Sequence, residues 1–449
     1  MAATSLHAFK IDLYEEHLEE ASFLYDQCRA LRADATLPWT HLAPFEARLE
    51  AHLDALVLGG KLAMEVCDRR AREGDAGELY AAVCVVCRHG DAQALSGLLK
   101  DVEFSARAVQ AAVCSALQRE LPAQWVGFVD SALQRADHRM AAVLIPVVAH
   151  RRLPAAAGLA EALQSFPGQA APIVDALGRL GDARAQPLVE RVLLDGQADD
   201  DLKACALLAS LRMGLDDPLR RCHLLAHREN WPRLALGIGG DPSAGNVLQP
   251  LVRAGRATPE CLLALGLLGE TASLPLLHEA LGVPELAEAA ARALQWITGA
   301  SLYEDVFIPE DDDEPLAHWQ QPQMKPRVPA SASAPARGQT VCKLSVHPDR
   351  WGAWLAQNGS RFAPTLRYRL GQPYGPQALL AALCGEGSDH QLRQLAAEEM
   401  AVRYRCEIPF ETDMCVAQQM RALNRMSRWV QADGQRFEPG RWYFAARPQ

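Results

Sequence analysis

The stretch ALGRLGDARAQPLVERVL (Ala176–Leu193) returns 88 residues later as ALGLLGETASLPLLHEAL (Ala264–Leu281), with eight of eighteen positions identical. That offset is about three periods of 29–30, and copies stand where the period demands: ASLRMGLDDPL (Ala209–Leu219) and LALGIGGDPSAGNVLQPL (Leu234–Leu251). Stepping back by about thirty residues meets further turn signals at Arg151–Pro154, Glu120–Pro122 and Gly90–Asp91. Each copy reads as a helix pair. An apolar helix ends at a Gly suited to a left-handed C-cap. An acidic residue then caps the next helix, and Pro sits in that helix's first turn, where a missing N–H costs little. Leu and Val at helical spacing, as at Leu188, Val192, Leu276 and Leu277, supply a buried stripe. One such pair cannot bury its own apolar face, so the pairs must stack into a solenoid.

Composition agrees. Hydrophobic residues are 49 % of the 449 but aromatics only 6 %, with Ala and Leu dominating, which favours all-α structure and excludes a mostly disordered chain. The net charge is −10 and only six of the 45 cations are Lys, a poor footprint for nucleic acid. Residues 301–337 carry seven acids and three bases, and 338–449 fourteen bases and ten acids, so residues 1–300 hold the full −10. Twelve cysteines scattered singly through apolar runs read as reduced and buried rather than as a disulfide framework. The start, MAATSLHAFKIDLYEEHLEEA, lacks the basic and apolar regions of a signal peptide, and no window approaches a membrane span; the expected location is cytoplasmic.

Four segments follow. Residues 1–58 form an N-terminal helical cap, with Pro38 and Trp39 at the turn between two helices. Residues 59–300 hold the repeats. Residues 301–340 read as a linker, through the acidic run Pro309–Pro315 and the Pro/Ala/Ser-rich Pro322–Arg337. Residues 341–449 form a separate, mostly helical module holding four of the nine Trp.

The repeats resemble the short HEAT-like repeats also found in bilin lyases, over roughly residues 75–298. The strings HLEEASFLY (His17–Tyr25) and ARLEAHLDAL (Ala47–Leu56) resemble the amino-terminal signature of an uncharacterised bacterial HEAT-like repeat family whose genes often lie near type VI secretion genes. That family usually has Trp where Tyr25 stands, and Asp-Glu-Arg-Leu ahead of its His-Leu-Asp. Arg350–Trp354, Arg367–Pro373, Gln394–Glu398 and Pro409–Thr412 resemble the same family's carboxy-terminal half. The resemblance marks His17, Glu19, Glu20, Arg48, His52 and Asp54 as signature residues without assigning them a role.

Several clusters invite chemistry. Cys84-Val-Val-Cys87 with His89 has neither a second ligand pair for zinc nor the strand context of a redox motif, and reads as core. Gly237–Asp241 falls on the repeat period and lacks the Gly-Lys-Ser/Thr ending of a phosphate loop. Glu310–Glu314 reads as a solvated run rather than a cation loop. His17 with Glu19 and Glu20, and His52 with Glu50 and Asp54, read as helix-flank hydrogen-bonding groups. No catalytic, metal or cofactor constellation emerges. Trp351, Trp354, Arg361, Arg367, Tyr368 and Arg369 are the residue types that dominate protein interfaces, and form the candidate binding cluster; the competing reading makes both Trp the module's own core.

The expected role is a non-catalytic scaffold that binds another protein across a groove formed by the second helix of each repeat. The resemblance implies an adaptor or chaperone-like accessory of type VI secretion, whose partner is a secretion component or effector. A toxin-blocking immunity protein and a tetrapyrrole-binding enzyme of bilin-lyase type are the alternatives.

Overall fold

The computed structural model describes residues 5–34, 37–100, 102–309 and 338–449. It is an all-α helical repeat, 71 % helical, with 22 α-helices among the described residues. The N-terminal cap is α1 (Leu6–Ala33), α2 (Ala43–Leu58) and α3 (Gly60–Glu73), with a short 3-10 turn at Trp39–Leu42. Seven pairs follow: α4 (Ala76–His89) with α5 (Ala92–Lys100), α6 (Arg107–Glu120) with α7 (Val126–Gln134), α8 (His138–Arg151) with α9 (Ala156–Ser165), and α10 (Ala170–Leu180) with α11 (Gln186–Leu194). The series continues with α12 (Asp200–Arg212) and α13 (Asp217–Leu225), α14 (Arg233–Gly239) and α15 (Ala244–Arg253), then α16 (Pro259–Leu268) and α17 (Leu274–Ala280); α18 (Pro284–Thr298) closes it.

The first helices of the pairs stack on one another from α4 to α18. The small residues at their contacts are why they can. A Cβ built on Gly178 of α10 would lie 2.4 Å from Ala209 Cα of α12, and one on Gly266 of α16 would lie 2.8 Å from Ala293 Cα of α18. The turns are as the repeat demands: Gly90, Gly181 and Gly269 have φ of 70°, 65° and 75° and end their helices in the left-handed conformation. Arg152 does the same at φ 54° without being Gly. Gly240 departs: its φ is −61°, and the end of α14 is closed by other means, described below.

The first helices are buried nearly all round, as at Gly77–Cys87 of α4 and Cys261–Leu268 of α16. They are enclosed because both ends of the chain fold back over them. The face that the chain's own ends cover is that of the first helices, not the second-helix face on which the groove was expected.

The expected linker is structured at both ends. Strand β1 (Tyr303–Pro309) pairs antiparallel with β2 (Gly338–Leu344), Tyr303 opposite Leu344 and Pro309 opposite Gly338. The Glu310–Glu314 run and Pro322–Arg337 lie outside the described residues. Beyond β2 come α19 (Pro348–Asn358), β3 (Tyr368–Arg369), β4 (Gln372–Pro373), α20 (Pro376–Cys384), α21 (His390–Tyr404), α22 (Val416–Ala432), β5 (Tyr443–Phe444) and β6 (Arg447–Pro448). This C-terminal part is not a separate module. One apolar cluster runs from Leu207, Leu236 and Leu265 of the repeats to Trp351, Leu379, Met400 and Phe444. Among the described residues no helix is long and apolar enough to cross a membrane.

Candidate functional site

The first helices of the early repeats each carry Arg in their last turn: Arg88, Arg119, Arg151, Arg179 and Arg212. A cation there complements the negative end of the helix dipole. Most of these are met by carboxylates from the chain's folded-back ends. From the N-terminal cap, Asp54 and Glu50 each lie 2.7 Å from Arg88, and Glu50 also pairs with Arg119. From the C-terminal part, Glu398 grips Arg212 with both oxygens (2.7 and 2.6 Å), while Glu411 bridges Arg152 (2.6 Å) and Arg179. Burial alone would raise the Glu398 carboxyl, but Arg212 and Arg179 together outweigh it and hold it below its ordinary value.

In the later repeats the roles reverse. Where α10 has Arg179, α16 has Leu267, and the covering segment supplies the cation. Arg369 Nη2 donates to the Leu267 carbonyl (3.0 Å), and Arg367 Nε to that of Leu268 (2.6 Å). Arg403 donates to Gly237 (2.9 Å) and Gly240 (3.0 Å), which closes the end of α14 that lacks a left-handed cap. Arg405 donates to the carbonyl of Arg212 at 2.6 Å. Two tight hairpins add backbone donors. Leu370 and Gly371, both at positive φ, donate to Trp296 and Ile297 at the end of α18. Ala445 and Ala446, also at positive φ, donate to Val402 and Arg403 at the end of α21. Helix ends leave carbonyls without partners, and here the covering segment meets them.

The predicted binding cluster is therefore largely turned inward. Trp351, Arg367, Tyr368 and Arg369 are at most 5 % exposed. Trp351 Nε1 donates to the Ser345 carbonyl (2.7 Å), and Arg367 lies between the rings of Tyr374 (3.7 Å) and Trp442 (3.9 Å). Burial, aided by Arg403, pushes the Arg367 guanidinium down to about 10. Trp354 is half-buried beside Phe362; Arg361 alone of the six is exposed. Both Trp pack into a core that is shared with the repeats rather than the module's own, Trp351 within it and Trp354 against it, and two Arg expected at the surface are buried with them.

The N-terminal signature residues join helices. His17 Nδ1 of α1 lies 3.0 Å from His52 Nδ1 of α2, so one of the two must accept; burial, then His17, lowers the pKa of His52. Arg48 faces Glu20 (3.8 Å), Glu19 reaches Arg70 of α3 (3.3 Å), and Asp54 holds Arg88 of α4. Cys84 and Cys87 are buried on α4, and burial pushes both thiols up, Cys87 to about 12. Among the described residues no group of three or more His, Cys, Asp or Glu is placed to hold a metal ion.

The two ends of the chain meet along a seam over α6 and α8, and three surface recesses lie along it. Glu46 of α2 is the hinge point: its carboxylate accepts from Arg32 (2.9 Å) and from the Val416 N–H at the start of α22 (2.7 Å). Cys415, the residue before α22, makes no side-chain cap, so Glu46 caps that helix from another part of the chain. Glu46 lines three cavities, of about 720, 600 and 100 Å³. The first is a cleft walled by Leu37, Trp39 and Leu42 on one side and Asp389, His390 and Arg393 on the other. Arg393 stacks on Trp39 at 4.2 Å, and burial lowers its guanidinium to about 10.

Sequence reasoning missed the arginine series and the seam. The arginines carry a signal at the repeat period, one basic residue near the end of each early first helix. The seam carries none, since its partners are hundreds of residues apart. Comparison with protein-family models, with curated proteins and with solved structures gives no match.

Proposed function

We propose that the chain is a non-catalytic protein-binding scaffold, an adaptor or chaperone-like accessory of type VI secretion, and that it engages its partner at the cleft walled by Leu37 and Trp39 on one side and Asp389 and His390 on the other. The observation that carries the reading is the closure of the first-helix face. With that face filled by the chain's own ends, the cleft of about 720 Å³ offers a recess with apolar walls, an indole stacked under a guanidinium and charged groups at its rim. The half-buried Trp39 ring is the side chain there of the type that usually anchors a protein interface, while the Arg393 stacked on it is buried and held by Leu383 and Gln419. The secretion association rests on the resemblance of the two end signatures.

The test is co-purification from a native host with the products of the neighbouring secretion genes, using the wild-type chain and the variants Trp39→Ala and Leu37→Glu. A secretion component or effector retained by the wild type and lost by both variants is the expected result. Equal retention by the variants would move the site elsewhere, and no retention of any neighbouring gene product would end the secretion reading.

A further inference from the structure

Strands β1 and β2 form a two-stranded ribbon with no third strand among the described residues. A lone ribbon is marginal in water, and its unpaired edges are templates for another strand. The hydrogen bonds at its base fix which groups point outward. The Ser345 N–H donates to the Leu302 carbonyl (2.8 Å), so Leu302 faces β2, whereas the carbonyl of the next residue, Tyr303, accepts from Arg350 (3.3 Å). Antiparallel pairing alternates. Glu304, Val306 and Ile308 therefore bond to β2, while Asp305, Phe307 and Pro309 share the outward orientation of Tyr303. Opposite them, Thr340, Cys342 and Leu344 turn their backbone groups outward from β2.

The two edges differ. That of β1 is guarded: Arg350 of α19 holds the Tyr303 carbonyl, and Pro309, at the other end, has no N–H to offer. The edge of β2 carries neither device. Thr340 and Cys342 are exposed, and among the described residues no backbone bond outside the ribbon engages either. Cys342 also lines the cleft of about 720 Å³, together with Tyr303 of the same ribbon face, whose hydroxyl donates to the Gly387 carbonyl (3.3 Å). A strand laid on this edge therefore runs past the cleft.

The cleft selects the side chains of such a strand. Its two arginines are engaged internally: Arg32 with Glu46 (2.9 Å), and Arg393 with the Leu383 carbonyl (2.8 Å) and Gln419 (2.6 Å). Glu386, exposed and touched by the Thr40 hydroxyl at 3.3 Å, and Asp389 leave the rim acidic, while Leu37 and Trp39 form its apolar wall. Lys or Arg fits both, with its methylenes along the apolar wall and its charge at the carboxylates. On the other face of the ribbon the neighbour is Val341, which suits a β-branched residue.

We propose that an extended segment of the partner, with Lys or Arg at alternate positions, adds to the edge of β2 as a third strand. Backbone bonds to Thr340 and Cys342 hold the segment, and its cationic side chains reach into the cleft. This mode of binding rests on the cleft as the partner's place and not on the secretion association.

Fluorescence polarisation of the full chain with labelled synthetic peptides tests it, using alternating Lys and Val, alternating Glu and Val, and the Lys–Val peptide N-methylated throughout. The Lys–Val peptide is expected to saturate one site, with the other two at least about tenfold weaker, as the loss of one hydrogen bond already gives. Cys342→Pro, which removes an outward N–H and no bond to β1, is expected to weaken the Lys–Val peptide about tenfold, and Cys342→Ala to bind it as the wild type does. Absence of saturable Lys–Val binding, or equal binding of the N-methylated or the Glu–Val peptide, overturns the proposal, and none of these needs a variant. Co-purification separates the two readings: a partner lost from Trp39→Ala but kept by Cys342→Pro would leave the cleft in place and overturn the third strand.

Discussion

Arg369 has no exposed surface and yet carries a full charge against the end of α16. What makes the burial tolerable is Glu399, equally buried, whose two oxygens lie 3.0 and 2.8 Å from Arg369 Nη2 and which also accepts from the Tyr374 hydroxyl at 2.5 Å. A buried ion pair is costly to break from one side, because the remaining charge stays in a low-dielectric interior. Arg369→Met is therefore expected to lower the unfolding free energy in urea by about 3–5 kcal/mol. The double variant Arg369→Met with Glu399→Leu should recover part of that loss, since the Glu399 charge is no longer left without Arg369; the recovery stays partial because Arg403, 3.9 Å from the same carboxylate, loses it. A double variant as unstable as the sum of both singles would contradict this account of the pair. None of it was legible beforehand: Arg367-Tyr-Arg369 reads locally as part of a surface binding cluster. Only the carbonyls of Gly266, Leu267 and Leu268, about a hundred residues upstream, make it a buried one.

At the scale of elements, the repeat was the most legible feature, because one helix pair dictates its own turn, cap and stripe locally. Gly90, Asp91, Gly181, Asp182 and Pro187 take the places that the repeat reading gives them. The close approach of first helices was also readable from their Gly and Ala, and two substitutions separate that role from mere helix propensity. Gly178→Ala must push α10 from α12, since its Cβ would stand 2.4 Å from Ala209 Cα; overpacking of this kind costs about 1–3 kcal/mol. Gly97→Ala in α5 meets no atom within 4 Å and is expected to stabilise by about 0.5–1 kcal/mol. Thermal unfolding of both variants checks the pair, and opposite signs are the predicted outcome. What the helix pattern could not disclose was the linker's outer residues pairing as β1 and β2, or the face that the ends cover. Those depend on contacts between segments that have no common periodicity.

At the scale of the whole molecule, the chain is a stack of first helices closed by its two ends, and much of the closure is electrostatic. Asp175, Glu398 and Asp413 are each pushed up by burial and brought below their ordinary values by their Arg or His partners. A carboxyl whose folded pKa lies below its unfolded one adds stability that is complete above the unfolded value. That stability is lost as pH falls through the folded value. With unfolded values near ~4, the melting midpoint should hold from pH 7 down to about 5 and then drop steeply below about 4. Glu398→Gln should flatten the drop. The central claim, however, is that residues 338–449 and the repeats are one folded body rather than a module on a tether. Its most direct test is to place a specific protease site within residues 310–337, cut the folded chain there, and measure the elution of the product by size exclusion without denaturant. The account predicts that the two pieces elute together at the volume of the uncut chain; two separate peaks, one for each fragment, would contradict it.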